Sequence, residues 1–181
     1  YRLLRTHAAA VGATHLVTAH TLDDQAETVL MRLFAGSGPA GLAGMRQERE
    51  LGDIVHLRPL LAVAKARLVA SCEAEGWPFI ADPSNFDPRF TRARIRKLMP
   101  LLAAEGLSAE RLALLAERQA RTNHALHIQT LRALGPGLPH GDGLRYERWR
   151  LHHEPREVWI RTVALAIRET RAHLGQEDDA R

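Results

Sequence analysis

Cysteine is nearly absent from this chain of 181 residues, which contains only Cys72. A single thiol excludes an internal disulfide and any zinc or iron–sulfur site that needs several cysteines. The surrounding segment LVASCEAEG has the pattern of an amphipathic helix, so we expect Cys72 only to pack. Long apolar runs are missing too, because no stretch approaches 18 apolar residues and the first ten residues lack the apolar segment of a signal peptide. We expect a cytoplasmic protein with no membrane contact.

Lysine is also scarce, since Lys65 and Lys97 are the only lysines among 25 basic residues. Either codon bias in a GC-rich genome or selection for phosphate recognition would favour arginine in this way. The segment 89–97, RFTRARIRK, has five positive charges and no acidic residue. That density is typical of a surface that meets polyanions, although a merely solvated helix face would look the same.

The most informative segment covers residues 19–45, AHTLDDQAETVLMRLFAGSGPAGLAGM. Thr21 and Asp24 have the T-x-x-D spacing of a capping box, which predicts that a helix begins there. An apolar stripe at helical spacing should face the core of the protein. It consists of Leu22, Ala26, Val29, Leu30 and Leu33.

Three carboxylates, Asp23, Asp24 and Glu27, crowd into the first turn of this helix. Several oxygens in one turn suit either Mg²⁺ or the grip of a cationic amine. Helix capping alone would explain one aspartate but leaves Glu27 and the adjacent His20 without a purpose. No further histidine lies at zinc-ligand spacing in this half of the chain, which argues against a zinc hydrolase.

Glycines follow this helix directly. The backbone N–H groups of Gly36, Ser37 and Gly38 could cradle a phosphate, but neither a lysine nor a strand-to-helix context makes this segment a Walker loop. We keep it as a weak candidate for cofactor binding.

Hydrophobic periodicity predicts an α/β arrangement in residues 1–104 and a small, mostly helical region in residues 108–181. Arg89, Arg92 and Arg96 should share one face of the arginine-rich helix, opposite a buried face of Ile95, Leu98, Met99 and Leu102. The predicted helices are 1–11, 22–34, 64–76, 88–100, 108–134 and 155–175, the strands are 15–19, 53–60 and, weakly, 143–151, the loop is 135–143, and 176–181 is a frayed tail. Residues 15–19 have the short, apolar, β-branched composition of a buried parallel strand.

Four ordered motifs resemble one family. Residues 19–45 are similar to the pattern AHHLDDQAETxLLRLxRGSGxxGLxGM of the tRNA(Ile)-lysidine synthetases, which belong to the N-type ATP pyrophosphatases. LRPLL at 57–61, WPFIADPSN at 77–85 and FTRARIRKLMPLL at 90–102 correspond to the family's RPLL, DPSN and RNxIRxxLLPxL motifs. The resemblance implies part of a parallel-sheet domain of the adenine nucleotide alpha-hydrolase-like (PP-loop) fold, followed by a small helical domain for tRNA recognition.

The resemblance also implies an activity, the ATP-dependent ligation of lysine to C2 of the wobble cytidine of tRNA(Ile). The partners would be ATP, Mg²⁺, free lysine and tRNA(Ile), with a homodimer possible. The implied catalytic residues are Asp23, Asp24, Glu27 and Arg94, of which Asp23 and Asp24 could hold the metal. The implied substrate-binding and tRNA-binding residues are His20, Arg32, Arg89, Arg92, Arg96 and Lys97.

The sequence departs from the family pattern at several points. Thr21 replaces a second histidine, Ala35 replaces an arginine, and Ala93 replaces the asparagine of RNxIR. The SGGxDS phosphate loop does not occur among the 181 residues, and the family's C-terminal tRNA-binding domain is not represented. We therefore expect the isolated chain to be inactive or nearly so.

Two alternatives stay open at this point. A tRNA 2-thiolation enzyme shares the ATP-binding fold but needs several cysteines, which a lone Cys72 does not supply. A non-catalytic RNA-binding module would use RFTRARIRK and the helical region to hold the anticodon stem by charge and shape.

Overall fold

The computed structural model describes residues 2–80, 82, 85 and 87–175. The predicted tail at 176–181, and Pro83 and Ser84 of the DPSN motif, lie outside these residues. Two compact units cover Tyr1–Ala120 and Arg121–Arg181, and the boundary falls within one long helix. None of the helices in the described part of the chain combines the length and apolarity needed to cross a membrane.

The elements of the first unit confirm the α/β prediction. In chain order they are α1 (Arg2–Ala10), β1 (His15–Val17), α2 (Leu22–Phe34), α3 (Pro39–Leu42), β2 (Glu48–Leu51), β3 (Ile54–Leu57), α4 (Lys65–Ala74), α5 (Thr91–Ala104) and the start of α6 (Ala109–Leu134). The prediction missed β2, because its charged sequence EREL lacks the apolar alternation of a strand.

A three-stranded sheet with the order β1-β3-β2 positions the candidate site. β1 runs parallel to β3, with Leu16 opposite His56 and Val17 opposite Leu57. Their carboxyl ends therefore meet at one edge of the sheet, and the Thr18 N–H extends the ladder by donating to the Leu57 carbonyl over 3.0 Å. The prediction that β1 is buried was wrong, since Val17 is 59% exposed.

The core of this unit forms where α2, α5 and α6 meet. Its buried members are Ala26, Val29, Leu30, Ile95, Leu112 and Ala116. Ala26 and Ala116 contribute small side chains to this core, and Leu30 is one of its largest fully buried side chains. Leu33 and Leu98, which the helical pattern placed inside, are instead 45% and 43% exposed, because they lie outside the stripe that contacts the neighbouring helices.

Helix α5 begins later and ends later than predicted. Asp87 does not cap it, because its carboxylate accepts from the backbone and the guanidinium of Arg89 in a tight turn. The helix starts at Thr91, so Arg89 is not on its face. Pro100 lies inside the helix, where it removes one backbone hydrogen bond. Packing of Met99 and Leu102 against the core holds the last turn in place.

The second unit contains the end of α6, a hairpin and α7 (Arg156–His173). The hairpin pairs β4 (Leu138–His140) with β5 (Gly143–Arg145), so the prediction of a loop over 135–143 was partly wrong. β4 contains Pro139 and is flanked by Gly137 and Gly141, and these residue types predict a loop rather than a strand. A 3-10 helix at Arg148–Leu151 follows the hairpin.

Candidate active site

The candidate site lies at the carboxyl ends of β1 and β3, which is where open α/β sheets bind their ligands. Thr18 and His20 follow β1, and Arg58 follows β3. Helix α2 starts immediately afterwards at Leu22. Its first turn therefore lies beside the same edge of the sheet.

A threonine links two histidines across this edge. The Thr18 hydroxyl lies 2.8 Å from His20 Nδ1 and 2.9 Å from His56 Nε2. A hydroxyl has one proton, so it can donate to one imidazole while it accepts from the other. The three side chains thus fix one another's orientation.

Both imidazoles lie in surroundings that disfavour a positive charge. Burial lowers the pKa of His20 and His56 below the ordinary value of 6.5, and the nearby Arg58 guanidinium lowers the pKa of each further. Asp24 acts in the opposite direction on the pKa of His20 without reversing the shift. These surroundings favour the uncharged form of both rings.

Helix α2 has the predicted capping box. The Thr21 hydroxyl accepts from the Asp24 N–H over 3.4 Å, and Asp24 Oδ2 accepts from the Thr21 N–H over 2.8 Å. Asp24 Oδ2 also accepts from the Thr21 hydroxyl over 2.9 Å. One carboxylate oxygen of Asp24 is therefore committed to the start of its own helix.

Asp23 caps a different helix. Its Oδ2 accepts from the backbone N–H of Lys65, the first residue of α4, over 2.7 Å. Ala64, at the N-cap position of α4, has no side chain that could do so. Asp23 therefore ties α2 to α4.

Glu27 forms a buried ion pair with Arg96 of α5. Arg96 Nε donates to Glu27 Oε1 over 2.5 Å and Nη2 donates to Oε2 over 3.2 Å, while the Glu27 side chain is only 3% exposed. Arg96 Nη1 donates to Asn85 Oδ1 over 2.8 Å. The hydrogen bond that Arg96 donates to Glu27 raises the pKa of Arg96, which stays charged. Arg96 was predicted to lie on a face of cations without compensating acid, and the buried pair with Glu27 corrects that prediction.

Asp24 Oδ1 completes the cluster. It lies 3.8 Å from both Arg92 Nη1 and Arg96 Nη2, and its side chain is 22% exposed. Arg92 also approaches the Thr28 hydroxyl over 3.5 Å. Asp24 is thus the carboxylate of the cluster that lines an open cleft, whereas Glu27 lines none of the clefts described here.

Two adjoining clefts open at this place, and both are lined by His20 and Arg92. We name the first the Asp24 cleft. It has a volume of about 650 Å³ and is lined by His20, Asp24, Met31, Asn85, Phe90, Thr91, Arg92, Ala93 and Arg96. We name the second the arginine cleft. It has a volume of about 530 Å³ and is lined by His20, Thr28, Arg32, Gly44, Met45, Arg46, Arg49, Arg58 and Arg92.

Several residues that the sequence singled out lie elsewhere. Arg94 Nη1 donates to the carbonyls of Pro88 and Arg89 over 2.8 and 3.1 Å, so its guanidinium closes the turn before α5. Lys97 is exposed and lines neither cleft. Residues 36–38 turn the chain from α2 into α3, with the Ser37 N–H donating to the Arg32 carbonyl, and they line neither cleft.

The sequence reasoning missed Thr18, His56 and Arg58. No local pattern marks Thr18 and His56, because they are 38 residues apart and only strand pairing brings them together. Arg58 stands in the quoted motif LRPLL, but nothing in the motif shows that its side chain is buried. Among the described residues, no three His, Cys, Asp or Glu side chains are grouped closely enough to hold a metal ion.

Comparison with known proteins places the chain in a family. The model of the PP-loop domain family matches residues 1–102, more than half of the chain. The chain therefore belongs to the PP-loop family, in agreement with its sheet and the position of the site.

More specific similarity is to the tRNA(Ile)-lysidine synthases. The chain is 54% identical to that of Methylobacterium nodulans over 171 residues, which cover 92% of this chain and 50% of the relative. It is 58% identical to that of Rhodopseudomonas palustris over 130 residues, which cover 72% of this chain and 38% of the relative. The chain spans about half the length of the curated relatives it matches.

Among solved structures, a U34-tRNA thiolase from Methanococcus maripaludis shares the fold. The TM-score is 0.52 at 17% sequence identity, and the match covers 65% of this chain and 40% of the thiolase. That structure contains a [4Fe-4S] cluster. At this identity the likeness concerns the fold alone.

Proposed function

We propose that this chain is part of a tRNA(Ile)-lysidine synthase. In the reaction, the C2 oxygen of the wobble cytidine attacks the α-phosphate of ATP and releases pyrophosphate. The ε-amine of lysine then attacks C2, AMP departs with the oxygen, and the amine loses a proton. The observation that carries this proposal is the 54% identity to a lysidine synthase over 92% of the chain.

Asp24 is the residue of this chain that suits the ε-ammonium group of lysine. Its Oδ1 borders the Asp24 cleft, and the carboxylate is held in place through Oδ2 by Thr21. Glu27 is a less suitable partner for the amine, since both of its oxygens receive hydrogen bonds from Arg96. We assign Glu27 as a positioning residue for Arg96.

The residues present do not fit the predicted magnesium site. Asp23 binds the start of α4 and lines neither cleft, so Asp24 Oδ1 alone borders the Asp24 cleft and the two aspartates do not converge on one metal position. We therefore derive no step through a metal bound by Asp23 and Asp24.

Arginines beside His20 are suited to hold the anticodon phosphates of tRNA. Arg32 and Arg92 line the arginine cleft, and the exposed Arg89 and Lys97 would add charge along the same segment of chain. Residues 108–181 would serve as the tRNA-recognition domain, and a homodimer would be compatible with this assignment.

The test uses the intact protein encoded by the gene that contains this segment. With ATP and a tRNA(Ile) transcript bearing a CAU anticodon, radiolabelled lysine should become acid-precipitable with the tRNA. A transcript with uridine at the wobble position is the matched control and should accept none. Failure of lysine transfer by the well-folded intact protein would refute the proposal. Steeply salt-dependent tRNA binding without transfer would instead support the RNA-binding module, and sulfur incorporation would support a thiolase.

The 181-residue chain alone should be inactive. It spans about half the length of the relatives, and residues 36–38 line neither cleft. ATP–pyrophosphate exchange that depends on lysine and tRNA, measured with the purified chain, would contradict this expectation.

A further inference from the structure

Arg58 carries a buried positive charge that the described protein does not neutralise. The residue is only 7% exposed. Its Nη1 donates to the Arg46 carbonyl over 2.7 Å, and its Nε is buried without a hydrogen-bond partner. No carboxylate of the described residues forms an ion pair with it. A buried charge of this kind is costly unless an opposite charge is supplied.

The cleft beside Arg58 concentrates further positive charge. Four more arginines line the arginine cleft, namely Arg32, Arg46, Arg49 and Arg92, and no aspartate or glutamate does so among the described residues. Among the ion pairs of the described residues, Arg92 is the one arginine of this cleft that pairs with a carboxylate, at 3.8 Å from Asp24. Guanidinium groups grouped around a cleft favour phosphate oxygens, which they can bind in pairs of hydrogen bonds.

The pKa shifts of the neighbouring histidines agree with a positively charged cleft. Burial is the largest cause that lowers the pKa of His20 and His56, and the Arg58 guanidinium lowers the pKa of each further. Since both shifts favour the uncharged imidazole, the positive charge that the cleft offers an anion comes from its arginines.

We propose that the arginine cleft is a binding site for a phosphate group, with Arg58 as the buried charge at its base and Arg46 and Arg49 at its exposed rim. The phosphate comes either from an RNA backbone or from a nucleotide. This inference deepens the assignment of Arg32 and Arg92 and rests on the proposed function for the source of the phosphate, whereas phosphate binding by the isolated chain is measured without lysine transfer.

The test uses the 181-residue chain at constant ionic strength, with chloride as the reference anion. Inorganic phosphate should bind by calorimetry and raise the melting temperature above that in chloride. Arg58→Met should weaken phosphate binding at least 10-fold and abolish this thermal response, while its melting temperature in chloride stays equal to or above that of the unchanged chain. Arg67→Gln, on the exposed face of α4, is the control and should leave binding unchanged.

The exposed rim provides a second, independent variant in case Arg58→Met does not fold. Arg46→Gln combined with Arg49→Gln removes two exposed charges and should weaken phosphate binding about 10-fold with native near-ultraviolet circular dichroism. Unchanged binding in this double variant, or in a folded Arg58→Met variant, would overturn the proposal. No binding of phosphate by the unchanged chain would overturn it as well.

Two further arms identify the source of the phosphate. A pentaribonucleotide without terminal phosphates carries only phosphodiesters, and ATP carries a triphosphate. Tighter binding of the pentaribonucleotide that depends on Arg58 assigns the site to an RNA backbone, and tighter binding of ATP that depends on Arg58 assigns it to a nucleotide. If neither binds in an Arg58-dependent way although inorganic phosphate does, the assignment to a biological phosphate is refuted.

Discussion

Glu27 and Arg96 form a two-pronged ion pair between α2 and α5, with the acidic side chain almost completely buried. Because both oxygens of Glu27 are engaged, this carboxylate serves to join two helices and to hold Arg96 at the wall of the Asp24 cleft. Sequence spacing alone had grouped it with Asp23 and Asp24 as a ligand-binding oxygen.

Breaking this ion pair should destabilise the protein strongly. Glu27→Leu or Arg96→Met leaves the partner charge buried without its counterion, and each should lower the free energy of unfolding by about 3–5 kcal/mol. Combining Glu27→Leu with Arg96→Met should restore much of that loss, because no buried charge remains. Urea unfolding of the two single variants and of the double variant measures the coupling free energy between the two side chains. Arg89→Gln, in an exposed ion pair, is the control and should leave the free energy of unfolding nearly unchanged. Additive effects of the Glu27 and Arg96 substitutions would contradict the pairing.

Asp23 should behave as a helix cap. Asp23→Ala removes the acceptor for the Lys65 N–H and should lower the free energy of unfolding by about 1 kcal/mol, whereas Asp23→Asn keeps an oxygen and should cost less. Hydrogen exchange at the Lys65 amide should accelerate in Asp23→Ala. Unchanged stability together with loss of a Mg²⁺-dependent rise in melting temperature would instead assign Asp23 to a metal.

Thr18 should contribute more to the stability of the folded protein than a threonine on the surface does. Thr18→Val removes the hydroxyl between His20 and His56 and should cost about 1–3 kcal/mol, because polar ring nitrogens lose a partner. The ¹⁵N chemical shifts of both imidazoles should also change as their tautomers redistribute. Thr14→Val removes a similar bond to the exposed His15 and should cost less than about 0.5 kcal/mol. Equal costs for the two variants would show that the bridge adds nothing specific.

Stability should decrease as the solution becomes acidic. Burial and Arg58 lower the pKa of His56 and His20 from 6.5, so below about pH 6.5 the unfolded chain binds protons that the folded chain does not. The free energy of unfolding should therefore be fully developed above that pH and fall as the pH drops towards the folded-state pKa values. Urea unfolding between pH 7.5 and pH 5 tests this, and His56→Gln should reduce the slope. A slope that His56→Gln does not alter would rule out His56 as its source.

The proposed function predicts that Asp24 and Glu27 differ in their kinetic effects in the intact protein. Asp24→Asn retains an oxygen for the Thr21 N–H but loses the charge beside the Asp24 cleft, so the KM for lysine should rise at least 10-fold with little change in the KM for tRNA. Glu27→Gln should lower kcat through the displaced Arg96. Asp53→Asn, in the exposed turn between β2 and β3, is the matched control. A lysine KM that responds to Glu27 and not to Asp24 would reverse the proposed roles.

Features governed by neighbouring residues could be predicted from the sequence. The Thr21–Asp24 capping box depends on a spacing of three residues, and the start of α2 agrees with the prediction. The long helix α6 also follows from hydrophobic periodicity. Arg94 shows the limit of this reasoning, since its motif position indicated a ligand contact while its guanidinium closes the turn before α5.

Tertiary packing alone decided which side chains near the candidate site pair with one another. Glu27 and Arg96 are 69 residues apart, Asp23 and Lys65 are 42 apart, and Thr18 and His56 are 38 apart. Local patterns cannot register such pairs, because burial and hydrogen-bond geometry arise only when the strands and helices come together. Residue types and short spacings suffice to indicate a helix start, an α/β layer and a segment rich in arginine. Only the folded chain separates a capping aspartate from one at a cleft, and a solvated arginine from one that is buried without a counterion.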